Sequence, residues 1–486
     1  MNVLCFLGLS SFVSTLLLTP LFRQVAVKLG FVDRPDQARK QHRAAVPRVG
    51  GIAIGLSYVL SFSVLLVFAH RDGRIVNDNM FFVWRVLPAA GLVFFTGLID
   101  DLFGLRPWQK LMGQFAGAAW AYWAGVRILG VADHAVHWWS IPLTLLWLAG
   151  CTNAFNLIDG LDGLAAGIGF LATLTIVLEA LIQGNFALAV ATVPLAGALL
   201  AFLRYNMNPA SIFLGDCGSL LIGFLLGCCG VVWSQKSVTL LGMTAPLVAM
   251  TVPVLDVALS IVRRYMREQP IFSADTGHVH HRLLALGMRP RHVALILYAV
   301  GGLGAACSLL QGLTNIRFGG PAIVLFCIVV CFGIRRLKYV EFGVAHRMLM
   351  TGEFRRMLKA NIRLQMFHEA AERSGCSKDC WPIILEACRD FGFTSVNLRV
   401  GDTCFEETLD APRESPGDAD DWTVRIDLGQ GDYAVIHHPL NSPMQAMMIV
   451  PFLEAMHKQL VGKHTAGSGD LRAAPSLVGQ SGAVAG

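Results

Sequence analysis

The sequence predicts an all-α polytopic membrane domain of about eleven transmembrane helices, followed by a small α+β cytoplasmic domain. Three observations predict it. Of the 486 residues, 54% are A, V, I, L, M, F, W, Y or C and only 15% are charged. With its 49 glycines the apolar-plus-glycine share reaches about 64%, against roughly 45–50% for a soluble domain. The charge is also uneven: residues 1–335 carry 23 Lys+Arg and 14 Asp+Glu, whereas residues 336–486 carry 16 and 19 at a normal soluble density. Disorder, a collagen-like fibre and a disulfide-stapled secreted module are excluded. The net charge of +6 does not argue for nucleic acid, because the basic residues cluster in short loops between apolar runs.

A spanning helix needs about 20 mostly apolar residues. Windows that meet this lie near 3–22, 49–69, 81–99, 111–131, 138–156, 164–183, 186–204, 218–234, 239–262, 293–312 and 319–335. The first lacks a basic n-region and an A-x-A site, so it reads as a span and not as a cleaved signal. The loop at 23–48 carries Arg23, Lys28, Arg34, Arg39, Lys40, Arg43 and Arg48. Residues 263–291 carry six arginines, and Arg335, Arg336 and Lys338 follow the last span. Alternation puts all three sets on one side, the cytoplasmic side by the positive-inside rule, with the N-terminus outside. The expected location is a bacterial inner (plasma) membrane, crossed many times.

Three units are expected: a membrane domain at 1–335, a cytoplasmic α+β domain at 336–463, and a disordered Gly/Ala/Ser-rich tail at 464–486. In the second, helices are expected over 345–374, 380–392 and 443–461, and strands at Ser395–Val400, Trp422–Leu428 and Tyr433–His437. The twelve cysteines show no recurring CxxC pair at zinc spacing and read as small apolar side chains.

Carboxylates are sparse in the membrane half, so their positions inform. Asp100 and Asp101 end the third span, where adjacent acids are costly unless hydrated, paired or metal-bound, and Lys110 follows nine residues later. In NAFNLIDGLDG, a continuing helix would put Asn156, Asp159 and Asp162 on one face. Asp216 sits between Gly215 and Gly218 at a helix start, after Asn206 and Asn208; a carboxylate there suits Mg²⁺, and nearby N–H groups suit phosphate. His278, His280, His281 and Arg282 fall in the basic loop; no Cys accompanies them, so anion or sugar binding is preferred to zinc. Asp256 lies seven residues before Arg263, about 10 Å along a helix, and reads as a partner for a basic residue. Each set also has a structural reading as cap or solvated loop. Alternation of the spans, however, brings all four to one face. That suggests a metal-assisted reaction of phosphates with a lipid partner. No Walker A motif or strand–GxGxxG–helix context is present, which argues against a nucleotide-driven pump.

These blocks, in this order, resemble the polyprenyl-phosphate N-acetylhexosamine-1-phosphate transferases, the MraY/WecA-like glycosyltransferase 4 family. The matching pieces are Asp100-Asp101 with Lys110, NAFNLIDGLDGLAAG, YNMNPASIFLGDCGSLLIG, PVLDVALSIVRR and DTGHVHHRLLALG. A first loop with Arg39, Lys40, His42, Pro47, Arg48 and Gly50-Gly51 also matches, and the likeness covers about residues 1–335. The resemblance implies transfer of a HexNAc-1-phosphate from a UDP-sugar, most simply UDP-GlcNAc, to undecaprenyl phosphate with Mg²⁺ or Mn²⁺, releasing UMP. It implies Asp216 as metal ligand, supported by Asn156. Asp100 or Asp101 would act at the lipid phosphate, and Asp159 and Asp162 at the nucleotide and metal site. It further implies substrate contacts for Lys110, Asn156, Asn206, His278, His280, His281, Arg282, Lys40, His42 and Arg48, and leaves room for a homodimer. The His-Val-His-His-Arg sequence looks like the branch that starts surface polysaccharides. The alternatives are a phospho-MurNAc-pentapeptide transferase, a transporter or flippase, and a membrane sensor. Residues 336–486 lie outside the family's usual core; their element order is similar to a GAF domain, and a regulatory or docking module is the expectation.

Overall fold

The computed structural model describes residues 2–33, 46–68, 73–128, 138–235, 250–266, 277–314, 316–337, 339, 353–373, 381–400, 403–409, 421–429, 432–439 and 446–465. Lys40 and His42, and the expected tail from 466 on, lie outside these residues. The chain divides into two units, Met1–Tyr339 and Val340–Gly486.

The first unit is helical. In order it contains α1 (Asn2–Leu29), α2 (Gly50–Phe68), α3 (Gly73–Phe103), α4 (Pro107–Trp123), α5 (Ser140–Ile158), α6 (Leu164–Ile182), α7 (Phe186–Asn206), α8 (Gly215–Gln235), α9 (Thr251–Met266), the short α10 (Val279–Ala285), α11 (Pro290–Thr314) and α12 (Ile316–Arg336). Two-residue strands β1 (Val32–Asp33) and β2 (Val46–Pro47) pair antiparallel between α1 and α2. Among the described residues, eight helices are long and apolar enough to cross a membrane: α1, α2, α3, α5, α6, α7, α8 and α11. The windows at 111–131, 239–262 and 319–335 fall on α4, α9 and α12; the described part of the second is the 16-residue α9. The protein is a multi-pass membrane protein.

The most enclosed span is α8, packed by α2, α3, α5 and α6. Its sequence GDCGSLLIGFLLGCCG explains why. The missing β-carbons let neighbouring backbones approach. A Cβ on Gly51 of α2 would lie 2.2 Å from the Gly218 nitrogen, and one on Gly97 of α3 would lie 2.6 Å from the Asp216 oxygen. Backbone hydrogen bonds extend this contact: Gly50 and Gly51 donate to the carbonyls of Phe213 and Leu214 at 2.9 and 2.8 Å, and Phe213 donates to Pro47 at 2.8 Å. The start of α8 is thus gripped by backbone from two distant stretches of chain.

The second unit has helices α13 (Glu353–Arg373), α14 (Trp381–Asp390) and α15 (Ala446–Thr465) and an antiparallel sheet of order β4-β3-β6-β5. The strands are β3 (Ser395–Val400), β4 (Thr403–Thr408), β5 (Asp421–Gly429) and β6 (Asp432–Pro439). Phe367, Phe391, Phe393, Ile436 and Phe452 form its core. Strand β4 was not expected. Its sequence TCFEET sends only Phe405 towards the core, so it carries no apolar alternation to read.

Candidate active site

Asp101 organises the site. Both of its oxygens accept backbone N–H groups at the start of α8: Oδ1 from Asp216 and Oδ2 from Cys217, each at 2.8 Å. A helix's first N–H groups have no partner within the helix, and the macrodipole favours an anion there. The carboxylate at the end of α3 therefore caps α8 across space and fixes the direction of Asp216. Gly215, at φ +75°, leaves room for it, since a Cβ there would lie 2.8 Å from Asp101 Oδ2.

Asp100 faces a different way. Its Oδ1 accepts the Leu105 N–H at 2.6 Å and its Oδ2 lies 3.0 Å from Lys110 Nζ. The Lys110 ammonium also pairs with Asp216 Oδ2 and donates to Asn156 Oδ1 at 3.1 Å. Asn156 Nδ2 donates to Asp216 Oδ1 at 2.9 Å and to Ser219 at 3.0 Å. Four helices, α3, α4, α5 and α8, thus aim three oxygen ligands at one cationic centre. Burial alone would weaken the protonated lysine, but the carboxylates of Asp216 and Asp100 outweigh it and hold its pKa above the ordinary value. Lys110 is a fixed positive charge and not a proton acceptor. One turn along, Gln114 and Asn153 exchange amide hydrogen bonds of 3.2 and 2.6 Å, locking α4 to α5 behind the cluster.

The expected common face of Asn156, Asp159 and Asp162 does not form. Helix α5 ends at Ile158, and a turn through Gly160 to Gly163, at φ +77°, redirects the chain. Asn156 stays with the cation cluster. Asp162 instead accepts from Asn208 Nδ2 at 2.9 Å and from the Ala210 N–H at 3.0 Å, tying this turn to the loop before α8. Asn206 does similar work: it accepts the Gly163 N–H at 3.1 Å and donates to the Ile212 carbonyl at 3.0 Å. Asp159, half-buried, has its pKa raised well above the usual carboxylate range by burial and by the negative charges of Asp216 and Asp101, with Arg48 opposing. Asp100, Asp101, Asp159 and Asp216 therefore share one site, with Arg48 beside it.

The histidine segment adjoins that turn. A Cβ on Gly160 would lie 2.8 Å from His280 Nε2, an atom buried with no hydrogen-bond partner among the described residues. Asp256 takes the basic-partner role expected of it: Oδ2 lies 3.1 Å from His278 Nδ1, and Oδ1 accepts the Val279 N–H at 2.8 Å, capping α10 as Asp101 caps α8. The His278, His280 and His281 rings cluster with centroids 4.2 to 6.4 Å apart. Burial, helped by His281, lowers the pKa of His280 to about 4, so that ring is neutral at physiological pH. Arg282 lies over the Tyr339 ring, 4.3 Å from its centroid.

Sequence reasoning missed Gln114, Tyr298 and Tyr339. Tyr298 donates to the Gly163 carbonyl at 2.6 Å, and its ring fills the space a Cβ on Gly167 would need. Gln114 had a legible signal, a buried amide inside an apolar run one helical turn from Lys110. The tyrosines had none, because their partners lie far away in the chain.

Among the described residues no group of three or more His, Cys, Asp and Glu side chains is arranged to hold a metal ion. Magnesium does not require one. It commonly takes one or two carboxylates and completes its shell with water and substrate phosphates. Asp216, Asp100 and Asn156 offer only hard oxygen donors, and they already converge on a cation, so the residues fit the ion.

The profile of glycosyl transferase family 4 matches residues 83–234, which contain Asp100, Asp101, Lys110, Asn156, Asp159, Asp162, Asn206 and Asp216. The probable undecaprenyl-phosphate N-acetylglucosaminyl 1-phosphate transferase of Bacillus subtilis is 34% identical over 297 residues, 60% of this chain and 80% of that protein. The decaprenyl-phosphate N-acetylglucosaminephosphotransferase of Mycobacterium tuberculosis is 36% identical over 341 residues, 63% of this chain and 82% of its own length. The undecaprenyl-phosphate alpha-N-acetylglucosaminyl 1-phosphate transferase of Escherichia coli K12 is 27% identical, over 65% and 86%. Likeness of this depth, running through the residues that build the acidic site, makes the chain a member of glycosyl transferase family 4.

Proposed function

We propose that the protein transfers N-acetylglucosamine-1-phosphate from UDP-GlcNAc to a polyprenyl phosphate, undecaprenyl phosphate in the first instance, releasing UMP and starting a cell-surface polysaccharide on the cytoplasmic side of the membrane. The observation that carries this reading is the convergence of Asp100, Asn156 and Asp216 on one cation beside the His278–Arg282 cluster. The named activities of the relatives support the same chemistry.

In this reading an oxygen of the lipid phosphate attacks the β-phosphorus of the UDP-sugar. The bond from that phosphorus to the bridging oxygen breaks, and UMP leaves with the bridging oxygen. Asp216 and Asn156 hold Mg²⁺, which when bound neutralises the diphosphate and makes UMP a better leaving group. Lys110, cationic throughout, binds a phosphate oxygen. Asp100 orients the acceptor phosphate and takes any proton it carries. Asp101 keeps Asp216 aimed by capping α8, and Asp162 and Asn206 hold the turn that presents Asp159. His280, neutral and facing Gly160, borders the donor site, and Arg282 meets the donor's diphosphate. A single displacement needs no covalent enzyme intermediate.

The test uses the purified full chain in detergent with undecaprenyl phosphate, Mg²⁺ and radiolabelled UDP-GlcNAc. Labelled lipid should form, disappear with EDTA, return with added Mg²⁺, and be absent in Asp216→Asn. Folded protein that labels no lipid from UDP-GlcNAc or another UDP-HexNAc would overturn the reading.

A further inference from the structure

Tyr339 is the last residue of the membrane unit, just beyond α12. Its ring serves two arginines from different elements. The Arg282 Cζ lies 4.3 Å from the ring centroid and the Arg263 Cζ 5.5 Å. Its hydroxyl donates to the Gly277 carbonyl at 3.2 Å, at the entrance to the histidine segment. Arg263 is 2% exposed, and a Cβ on Gly277 would lie 2.6 Å from its Cζ, so that guanidinium is packed against the same backbone. Two like charges meeting at one place repel. An aromatic face between them attracts both through its quadrupole, and the attraction strengthens out of bulk water. Asp256, the nearby acid, has its oxygens directed to His278 and the Val279 N–H. The ring is thus the element that gives the Arg282 guanidinium a fixed seat while leaving its N–H edge free of a carboxylate fork.

We propose that Tyr339 is a positioning residue that seats Arg282 for the diphosphate of the sugar donor, and so sets donor affinity. This rests on the transferase reading above. A guanidinium held by its face keeps its hydrogen-bonding edge for phosphate. The donor, not the lipid acceptor, is the substrate that feels the loss.

The experiment measures steady-state kinetics of the full chain in detergent for wild type, Tyr339→Phe, Tyr339→Leu, Arg282→Ala and the Tyr339→Leu/Arg282→Ala double variant, with melting temperatures recorded alongside. Tyr339→Leu should raise the donor KM about tenfold, with kcat and the acceptor KM within about twofold of wild type. Tyr339→Phe keeps the ring and should stay within about threefold. In the Arg282→Ala background Tyr339→Leu should add less than about twofold, because the residue acts through that arginine. A full additional tenfold there, a fall in kcat with the donor KM unmoved, or a Tyr339→Phe donor KM as high as that expected for Tyr339→Leu would overturn the proposal. The Phe variant decides the matter even if the Leu variant does not survive purification. Absence of activity in the wild type would count against the transferase reading itself.

Discussion

Adjacent aspartates at the end of α3 should fail in opposite ways when each is changed to asparagine. Asp101 accepts two backbone N–H groups at 2.8 Å each. Asparagine keeps one acceptor and turns an NH₂ towards the other N–H. That removes one charge-assisted hydrogen bond, about 1.5–3 kcal/mol, and leaves two donors facing each other. The lost charge at the helix start adds about 0.3–1 kcal/mol, and relief from burying a carboxylate offsets part of the total. A net loss of about 2 kcal/mol corresponds to a melting temperature roughly 4 °C lower. Activity should fall about tenfold because Asp216 is less well aimed. Asp100→Asn keeps the Leu105 hydrogen bond and leaves Lys110 its pair with Asp216. It should melt within about 1 °C of wild type yet lose about 100-fold or more in activity. Thermal unfolding followed by size-exclusion chromatography, run beside the radiolabelled-lipid assay, reads both quantities. If Asp101→Asn melts like wild type while losing as much activity as Asp100→Asn, Asp101 takes part in the chemistry and the capping argument is wrong.

Gly51→Ala should cost about 1–3 kcal/mol or more, because its Cβ would lie 2.2 Å from the Gly218 nitrogen; monodisperse protein with wild-type melting would count against the close packing. Gln114→Leu leaves the buried Asn153 Oδ1 without its partner and should cost about 1–3 kcal/mol, and adding Asn153→Leu should recover part of it in the same melting assay. The pKa of His280 is lowered from 6.5 to about 4, so the unfolded chain binds the proton first. The corresponding stability is present above pH 6.5 and lost as pH falls towards 4; His280→Gln should flatten that limb of the melting-temperature profile, and an unchanged limb would assign it to other groups. His281, His278 and Asp256 are the titratable groups facing this ring and should be intact in the variant compared.

Spans and site were legible to different degrees, for physical reasons. Long apolar runs bounded by arginine-rich loops located the helices, because a bilayer imposes length and composition at once. The four polar blocks were legible because acids are rare in such a chain, and alternation of spans predicted their meeting. What sequence could not distinguish was the duty of each acid. Asp100 and Asp101 are chemically identical neighbours, yet one faces a lysine and the other a helix start 115 residues away. The helical spacing of Asn156, Asp159 and Asp162 misled because a left-handed Gly163 ends the periodicity. In the second unit β4 went unseen because only Phe405 of that strand carries an inward signal.

The grip on the start of α8 has a consequence for biosynthesis. Residues 47–51, 97–101 and 213–218 hold each other by backbone contact, and the remaining partners at 110 and 156 approach the same point. A nascent chain that has released α1 to α7 owns most of the polar side chains of the site, yet nothing to hold them in register. The eighth span acts as a keystone. The enzyme stays silent during insertion until that helix arrives, and chains ending before it leave a half-built acid cluster at the bilayer edge that quality-control proteases can recognise. Those same backbone junctions leave substrate preference to evolve in the looser histidine segment.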